Sequence, residues 1–392
     1  MASYSDLIKK AKKDWNCASL MDGASAELGE KIPFTSPLVN WATYGGIPRN
    51  RITEFSGENG SGKSTTAVDV CKNAIVLFQK EYDAKVDALR ERISAGDKSA
   101  YSELEDLEEI GPKKVLYIDL EHGFDGAWAK TLGIEPEDMD LMQPPDVSAE
   151  EILQMVQEII STGEIGLIVL DSVPSLVTQK ELDKKYGEST VAPLAGLMTT
   201  FCRKVVSLLT RYGCTMLLIN QIRDNLNNPY VVNTPGGKAL KFYSSLRISF
   251  RLGKPVDFLG NDLPMNTESP AGYLVDIRLI KQKTAPFDRK SATYYLMCQN
   301  GIAPDFDYVK LAIDSYHVIR KSGAWFSICD PNTGEVLEDT DGKPVKVHGL
   351  AKVYDFLNSN QEYYESLKKF IINDISGKSE VGGGSGGSEE SN

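Results

Sequence analysis

The sequence predicts an α/β fold built on a mostly parallel central sheet, with a short N-terminal helix and a small C-terminal α/β domain. Three features lead there. Apolar strand-like runs at 51–56, 115–119, 166–171 and 215–220 alternate with helical patterns at about 63–93, 149–162 and 194–212. Each run is short and nearly all apolar, as strands covered on both faces must be. The first run enters a glycine-rich turn that opens a helix, a junction at which α/β folds hold phosphates.

Taken in order, residues 3–14 fit an amphipathic helix carrying Lys9, Lys10, Lys12 and Lys13, with no apolar segment of a secretory signal. Residues 80–112 form a highly charged insertion. Tyr82, Val86, Leu89 and Ile93 recur at helical spacing, "SAGDKS" marks a turn, and "YSELEDLEEIG" reads as a second, acidic helix. A projecting hairpin for contacts and a merely solvated insertion both fit. Runs at 244–252, 272–282 and 292–300 alternate in polarity and are expected to extend the sheet in antiparallel fashion. From about 305 a small module is expected, with two short strands around "GAWFSI", a "DPNTGE" turn and the amphipathic helix "EYYESLKKFIINDI". The resulting division is 1–32 helix and linker, 33–304 core, 305–375 C-terminal domain and 376–392 a disordered acidic Gly/Ser tail. That tail suits a native acidic end and a fusion linker equally.

Bulk properties exclude several classes. The 392 residues are 41% hydrophobic and 25% charged, and no apolar run reaches the roughly 18–20 residues of a membrane span. Cysteines 17, 71, 202, 214, 298 and 329 show no CxxC or metal-ligand spacing, which suits reduced thiols in a cytoplasmic protein. Three histidines argue against a His-based metal or triad centre. A formal charge of −12 weighs against non-specific nucleic-acid binding, though net charge does not locate a local groove.

The chemistry begins at "GENGSGKST", residues 57–65, which fits GxxxxGK[ST]. Gly57, Gly60 and Gly62 let the backbone wrap phosphates, with Glu58, Asn59 and Ser61 between them. Lys63 is placed to reach β- and γ-phosphates, the Ser64 hydroxyl to ligate Mg²⁺, and Thr65 continues the helix start. In "GLIVLDS", Asp171 ends an apolar strand where a Walker B carboxylate is expected near the metal. "VLYIDLEH" ends in Asp119 and Glu121, and Glu121 is placed to polarise an attacking water. Finally, "TMLLINQIRDNLNNP" ends a core strand on Asn220 and Gln221, two amides costly to bury without partners.

These pieces, in this order, resemble the RecA family of ATP-dependent DNA recombinases. "RITEFSGENGSGKSTTAVDV", "VLYIDLEHGFDGAWAKTLGI", "LIVLDSV", "LLINQIR", "GGKALKFYSSLRISFR", "IKQKTAPF" and "GAWFSI" carry the resemblance over about 33–330, and less closely to about 375. The run from NQIR through GGxALKFYxSxR to KxKxAPF is specific to bacterial-type RecA, phage-encoded versions included. The resemblance implies a RecA-like P-loop NTPase core using ATP and Mg²⁺. It implies a DNA-dependent ATPase that forms helical filaments on single-stranded DNA, pairs it with homologous duplex and exchanges strands in recombination and repair. Single-strand-binding and mediator proteins are the implied helpers, and the N-terminal helix would pack on the neighbouring protomer. Two rivals share the P-loop and Walker B residues: a RecA-fold ring helicase or motor, and a nucleotide-dependent DNA-binding scaffold without strand exchange.

The resemblance also assigns roles. Glu121 matches the catalytic glutamate, Asp171 the Walker B aspartate, and Gln221 the sensor of the γ-phosphate. Asp125 and Trp128 match positions that hold adenine, where the family more often has Tyr than Trp. Lys281 and Lys283 match cations that reach the neighbouring subunit's ATP, resembling an arginine finger. Two DNA loops would lie at about 180–195 and 222–238, the second slightly shorter than is usual. Val191 and Leu226 would be apolar wedges between bases, with Ala192 beside the first. Thr199, Arg203, Arg223, Gly236, Gly237 and Lys238 would approach phosphates. The chain departs from the family at Glu58 and Asn59, where Pro and Glu are usual, at Gly196, where an arginine is usual, and in the 80–112 insertion.

Overall fold

The computed structural model describes residues 5–6, 9–10, 30–185, 193–222 and 235–377. It begins with a clip in which β1 (Lys31–Ile32) pairs antiparallel with β2 (Ile47–Pro48) across α1 (Pro37–Thr43). Ser36 caps α1 by accepting from the Val39 N–H, and Pro37 supplies a preset first turn.

The core then alternates strand and helix. Strand β3 (Ile52–Gly57) leads into α2 (Lys63–Ser94), which turns back through α3 (Ser99–Ile110) into β4 (Lys114–Asp119). Next come α4 (Gly126–Thr131), β5 (Asp140–Met142), α5 (Ala149–Thr162) and β6 (Ile165–Asp171). After the short α6 (Gln179–Leu182) follow α7 (Pro193–Tyr212), β7 (Thr215–Gln221) and α8 (Ala239–Tyr243). The sheet is completed by β8 (Leu246–Val256), β9 (Gly272–Gln282), β10 (Ser291–Met297) and β11 (Gly301–Ile302).

Among the described residues the sheet order is β11-β10-β9-β8-β3-β7-β6-β4-β5. Strands β5, β4, β6, β7, β3 and β8 are mutually parallel, and antiparallel pairing begins only at β8–β9. This corrects one expectation: the run at 244–252 does not pair antiparallel with the core. The chain crosses from β7 over β3 through α8, and such a crossover returns it to the same edge, as parallel pairing requires. Side chains alternate between two apolar layers. Phe55, Val115, Tyr117, Val169 and Leu217 face α2 and the C-terminal elements, while Ile52, Leu116, Ile168, Leu170 and Leu218 face α5 and α7. Each fully buried aliphatic side chain contributes about 1.5–3 kcal/mol, so β6, buried at every residue, is anchored from both faces.

Helix α2 is one continuous 32-residue helix, long enough at roughly 1.5 Å per residue to leave the sheet behind. Its far half pairs with α3 as a projecting hairpin, in which Val86 and Ala100 are the buried contacts. The C-terminal module holds α9 (Pro304–Asp314), then β12 (Ile319–Ser322), β13 (Trp325–Ile328) and β14 (Lys346–His348). It closes with α10 (Leu350–Ser359) and α11 (Gln361–Ile375). A third strand, β14, joins the two expected ones, and α9 and α10 were not read from the sequence. No helix among the described residues is long and apolar enough to cross a membrane.

Candidate active site at the carboxyl edge of the sheet

Parallel strands β3, β4, β6 and β7 all end at one edge, and the chemistry-bearing residues collect there. Asp119 and Asp171 are register partners at the ends of β4 and β6, and Gly57 and Gln221 at the ends of β3 and β7. A Cβ on Gly57 would lie 2.5 Å from the Phe250 carbonyl oxygen, so only glycine allows the turn to pass β8. Gly60 and Gly62 take the left-handed region at φ 71° and 90°. Gly62 is the N-cap of α2 and no side chain caps it, which leaves the first N–H groups of a long helix for an anion.

Within this loop the Lys63 Nζ donates to the Glu58 carbonyl at 2.6 Å and to Ser61 Oγ at 3.3 Å. Burial pushes the Lys63 pKa down, against the charges of Asp171, Glu121 and Glu58. Burial pushes Asp171 up, opposed by hydrogen bonds from the Tyr117 hydroxyl, at 2.7 Å, and from Ser64. Each charge is therefore stabilised by an opposite one brought to it, an anion for Lys63 and a cation for Asp171. The donor set fits Mg²⁺ and a nucleotide phosphate chain: one hydroxyl, one carboxylate, a lysine and free helix N–H groups. No group of three or more His, Cys, Asp or Glu side chains that could hold a metal ion occurs among the described residues.

A cavity of about 210 Å³ joins these parts. Ser64, Thr65, Glu121, Asp125, Trp128 and Asp171 all line it. Trp128 offers a half-buried ring, while Asp125 caps α4 by accepting from the Ala127 and Trp128 N–H groups. Glu121 Oε1 accepts from Gln221 Nε2 at 3.0 Å and from the Ser172 hydroxyl. Asp119 turns the chain toward Glu121 by accepting from the Glu121 N–H at 3.0 Å and the Phe124 N–H at 2.9 Å.

Several lining or supporting residues were missed in the sequence, among them Tyr117, Phe124 and Ser172. Tyr117 sits two positions before Asp119, so the strand's period of two places both on one face. Phe124 packs its ring 5.0 Å from that of Tyr117. Ser172 holds Glu121 but carries no signal beyond being a serine after an aspartate.

Asn220, expected beside Gln221, is not in the pocket. It is fully buried and donates to Glu54 Oε1 at 2.9 Å and to the Pro235 carbonyl at 3.0 Å. Lys281 and Lys283 are also apart from the pocket within one chain. Lys281 lies level with Glu54, roughly 10 Å back along the strands from Gly57, at the amino edge. Its Nζ donates to the Lys241 and Phe242 carbonyls of α8, at 2.5 and 2.9 Å, and Lys283 to Phe242 at 3.2 Å. A bulge at Ile280 breaks the β8–β9 register just before Lys281 and re-aims it.

Of the expected DNA contacts, Val191, Ala192, Arg223 and Leu226 lie outside the described residues. The others cluster. A Cβ on Gly237 would meet that of Ala195 at 2.8 Å, so the Gly236–Gly237 turn lies against the first turns of α7. Thr199, Arg203 and Lys238 are all exposed, Thr199 and Arg203 along α7 and Lys238 directly after the turn, and Thr199 Oγ1 donates to the Ala195 carbonyl at 2.8 Å.

An uncapped helix behind a glycine-rich loop, with acidic strand ends on a parallel sheet, defines a P-loop nucleotide-binding protein. Comparison narrows the class. The RecA N-terminal domain family matches residues 105–303. The chain is 28% identical to Protein RecA of Clostridioides difficile over 93% of this chain and 95% of that one. It is 31% identical to Protein RecA of Bacteroides thetaiotaomicron over 84% of this chain and 87% of the relative. Against Protein RecA of Ruminococcus albus it is 31% identical over 78% of this chain and 66% of the relative, just under two thirds. The chain belongs to the RecA family.

Proposed function

We propose that this protein hydrolyses ATP in response to single-stranded DNA, assembles head to tail along it, and pairs and exchanges it with a homologous duplex. One observation carries this reading: the 3.0 Å hydrogen bond from Gln221 to Glu121. It joins the strand that feeds segment 223–234 to the carboxylate best placed to activate water.

Lys63, the N–H groups at the start of α2 and Ser64 would hold the phosphates, and Ser64 with Asp171 would hold Mg²⁺. Bound Mg-ATP would supply the transferable phosphoryl group. Trp128 and Asp125 would border the base. Glu121 would take a proton from water, steadied by Ser172. The Gln221 amide can donate to Glu121 or to a phosphate oxygen, and that choice would report nucleotide state along β7. With Lys281 and Lys283 at the amino edge, they would serve a neighbour's pocket. That contact is heterologous, and a rotation that does not close makes it helical. A chain of net charge −12 with few cations beside Gly237 would grip DNA only as many protomers together. Residues 1–32 would link protomers, 33–304 form the ATPase core and 305–375 a C-terminal domain. Single-strand-binding and mediator proteins would act on the same DNA in the cytoplasm.

The test is ATP turnover with and without single-stranded DNA, followed by joint-molecule formation with homologous and heterologous duplex. Stimulated turnover and homology-dependent product are expected, with helical filaments by electron microscopy. Rings, or product indifferent to homology, would point to a motor or a scaffold. Mixing Lys63→Ala with Lys281→Ala/Lys283→Ala protein should restore part of the turnover each lacks alone; no recovery would rule out catalysis in trans.

A further inference from the structure

We infer that Glu54, Asn220 and Arg247 form a buried polar clasp that positions Pro235, with the Gly236–Gly237 turn that follows it, together with Lys281, making Asn220 a positioning residue for DNA-stimulated turnover, separate from Gln221. This deepens, and rests on, the function proposed above.

The clasp is fully drawn in hydrogen bonds. Both N–H groups of the Asn220 amide are engaged, by Glu54 Oε1 at 2.9 Å and the Pro235 carbonyl at 3.0 Å. Its oxygen accepts from the Gln221 N–H at 3.0 Å. Of side chains this length only asparagine offers two donors and an acceptor; aspartate has no donor and leucine neither. The other carboxylate oxygen of Glu54 accepts from Arg247 Nε. Glu54 and Asn220 are 0% exposed, and the Arg247 side chain is 11% exposed.

Two consequences follow from where these bonds run. The chain leaves β7 with the Ile222 N–H on the Gly57 carbonyl at 3.2 Å, and it returns at Pro235 held through Asn220 to Glu54. Ile222 and Pro235 are thus tied to β3 at points three residues apart, Gly57 and Glu54, on the strand that carries the phosphate loop. On the other side Arg247 is the register partner of Lys281 across β8–β9. Burial pushes the Lys281 pKa down to about 8, the charges of Lys283 and Arg247 push the same way, and Glu54 opposes them. A change at the clasp therefore reaches Lys281 as well as the Gly236–Gly237 turn. Stability alone does not explain the arrangement, because apolar residues of similar volume commonly replace a buried ion pair without loss.

The experiment uses the full chain with Glu54→Leu/Asn220→Leu/Arg247→Met, an apolar replacement that removes every charge at once. Expected are an unchanged KM for ATP and DNA-free turnover within about twofold, with DNA-stimulated kcat lowered about tenfold or more. Stimulation kept within about twofold of the unsubstituted protein would overturn the inference. Should the triple variant fail to fold, Asn220→Ser is read by amide hydrogen exchange. Exchange at Gly236, Gly237 and Lys238 should quicken about tenfold while Leu167–Leu170 stays protected, and no local change would overturn the clasp. Gln221→Ala is the parallel arm. If it loses stimulation while the clasp variants keep it, this inference alone fails. If the unsubstituted protein ignores single-stranded DNA, the proposed function fails and takes the clasp with it.

Discussion

The two ends of helix α2 hold charge in opposite ways. At its start Lys63 is buried, Gly62 is left-handed and uncapped, and among the described residues the ammonium donates to a backbone carbonyl and a hydroxyl and to no carboxylate. At its end Arg92 donates to Asp97 and to Glu103, each at 2.7 Å, and Arg90 lies 3.7 Å from Glu108, all exposed. The hairpin looks the more eventful region in composition, yet its arginines are already answered by neighbours. The quiet glycine-rich end keeps its charge available. Charge that finds no internal partner marks function better than charge density does.

Four substitutions test that contrast, from the strongest outward. Lys63→Ala should lower ATP turnover about 10³-fold, since the buried cation proposed to hold the phosphates is lost. Glu121→Gln should lower turnover about a hundredfold in steady-state assays while nucleotide binding, followed by fluorescence titration, persists. Asp307→Asn asks whether burial alone is enough. Asp307 is fully buried between α9 and α1, bonded to Ser36, and burial pushes its pKa up to about 8. The folded chain then keeps a proton that the unfolded chain has released, so this site's contribution to stability falls as pH rises from about 4 to about 8. The variant should lose that slope and gain a few kcal/mol at pH 8 in thermal unfolding, with turnover unchanged. A fall in turnover would break the contrast. Arg92→Ala should do least, leaving turnover intact and the unfolding midpoint within about 2 °C.

The parallel core was legible because its central strands are apolar on both faces; β6 and β7 begin and end within a residue of the expected runs. Local pattern could not tell β8 from its antiparallel neighbours, since crossover direction is a tertiary property. Strand β14 is three residues long, too short for periodicity to register. At the site, motif spacing found Ser64, Glu121 and Asp171. It could not see Ser172 or the Glu54–Asn220 bond, whose partners are 51 and 166 positions apart in the chain. Gln221, which the resemblance casts as a phosphate sensor, donates to Glu121, a partner its sequence position does not reveal.

The sheet has its pocket on one edge and Lys281 on the other, and under head-to-tail stacking this has an arithmetic consequence. Every junction would complete one pocket, but the terminal subunit at one end would keep a pocket no neighbour serves, and the subunit at the opposite end would keep idle lysines. A row of subunits would therefore contain one fewer finished site than it has members, and a lone chain would contain none. Output per molecule would climb steeply over the first few additions and then level off. The polymer would also have two unlike ends, so growth and loss need not occur at the same one.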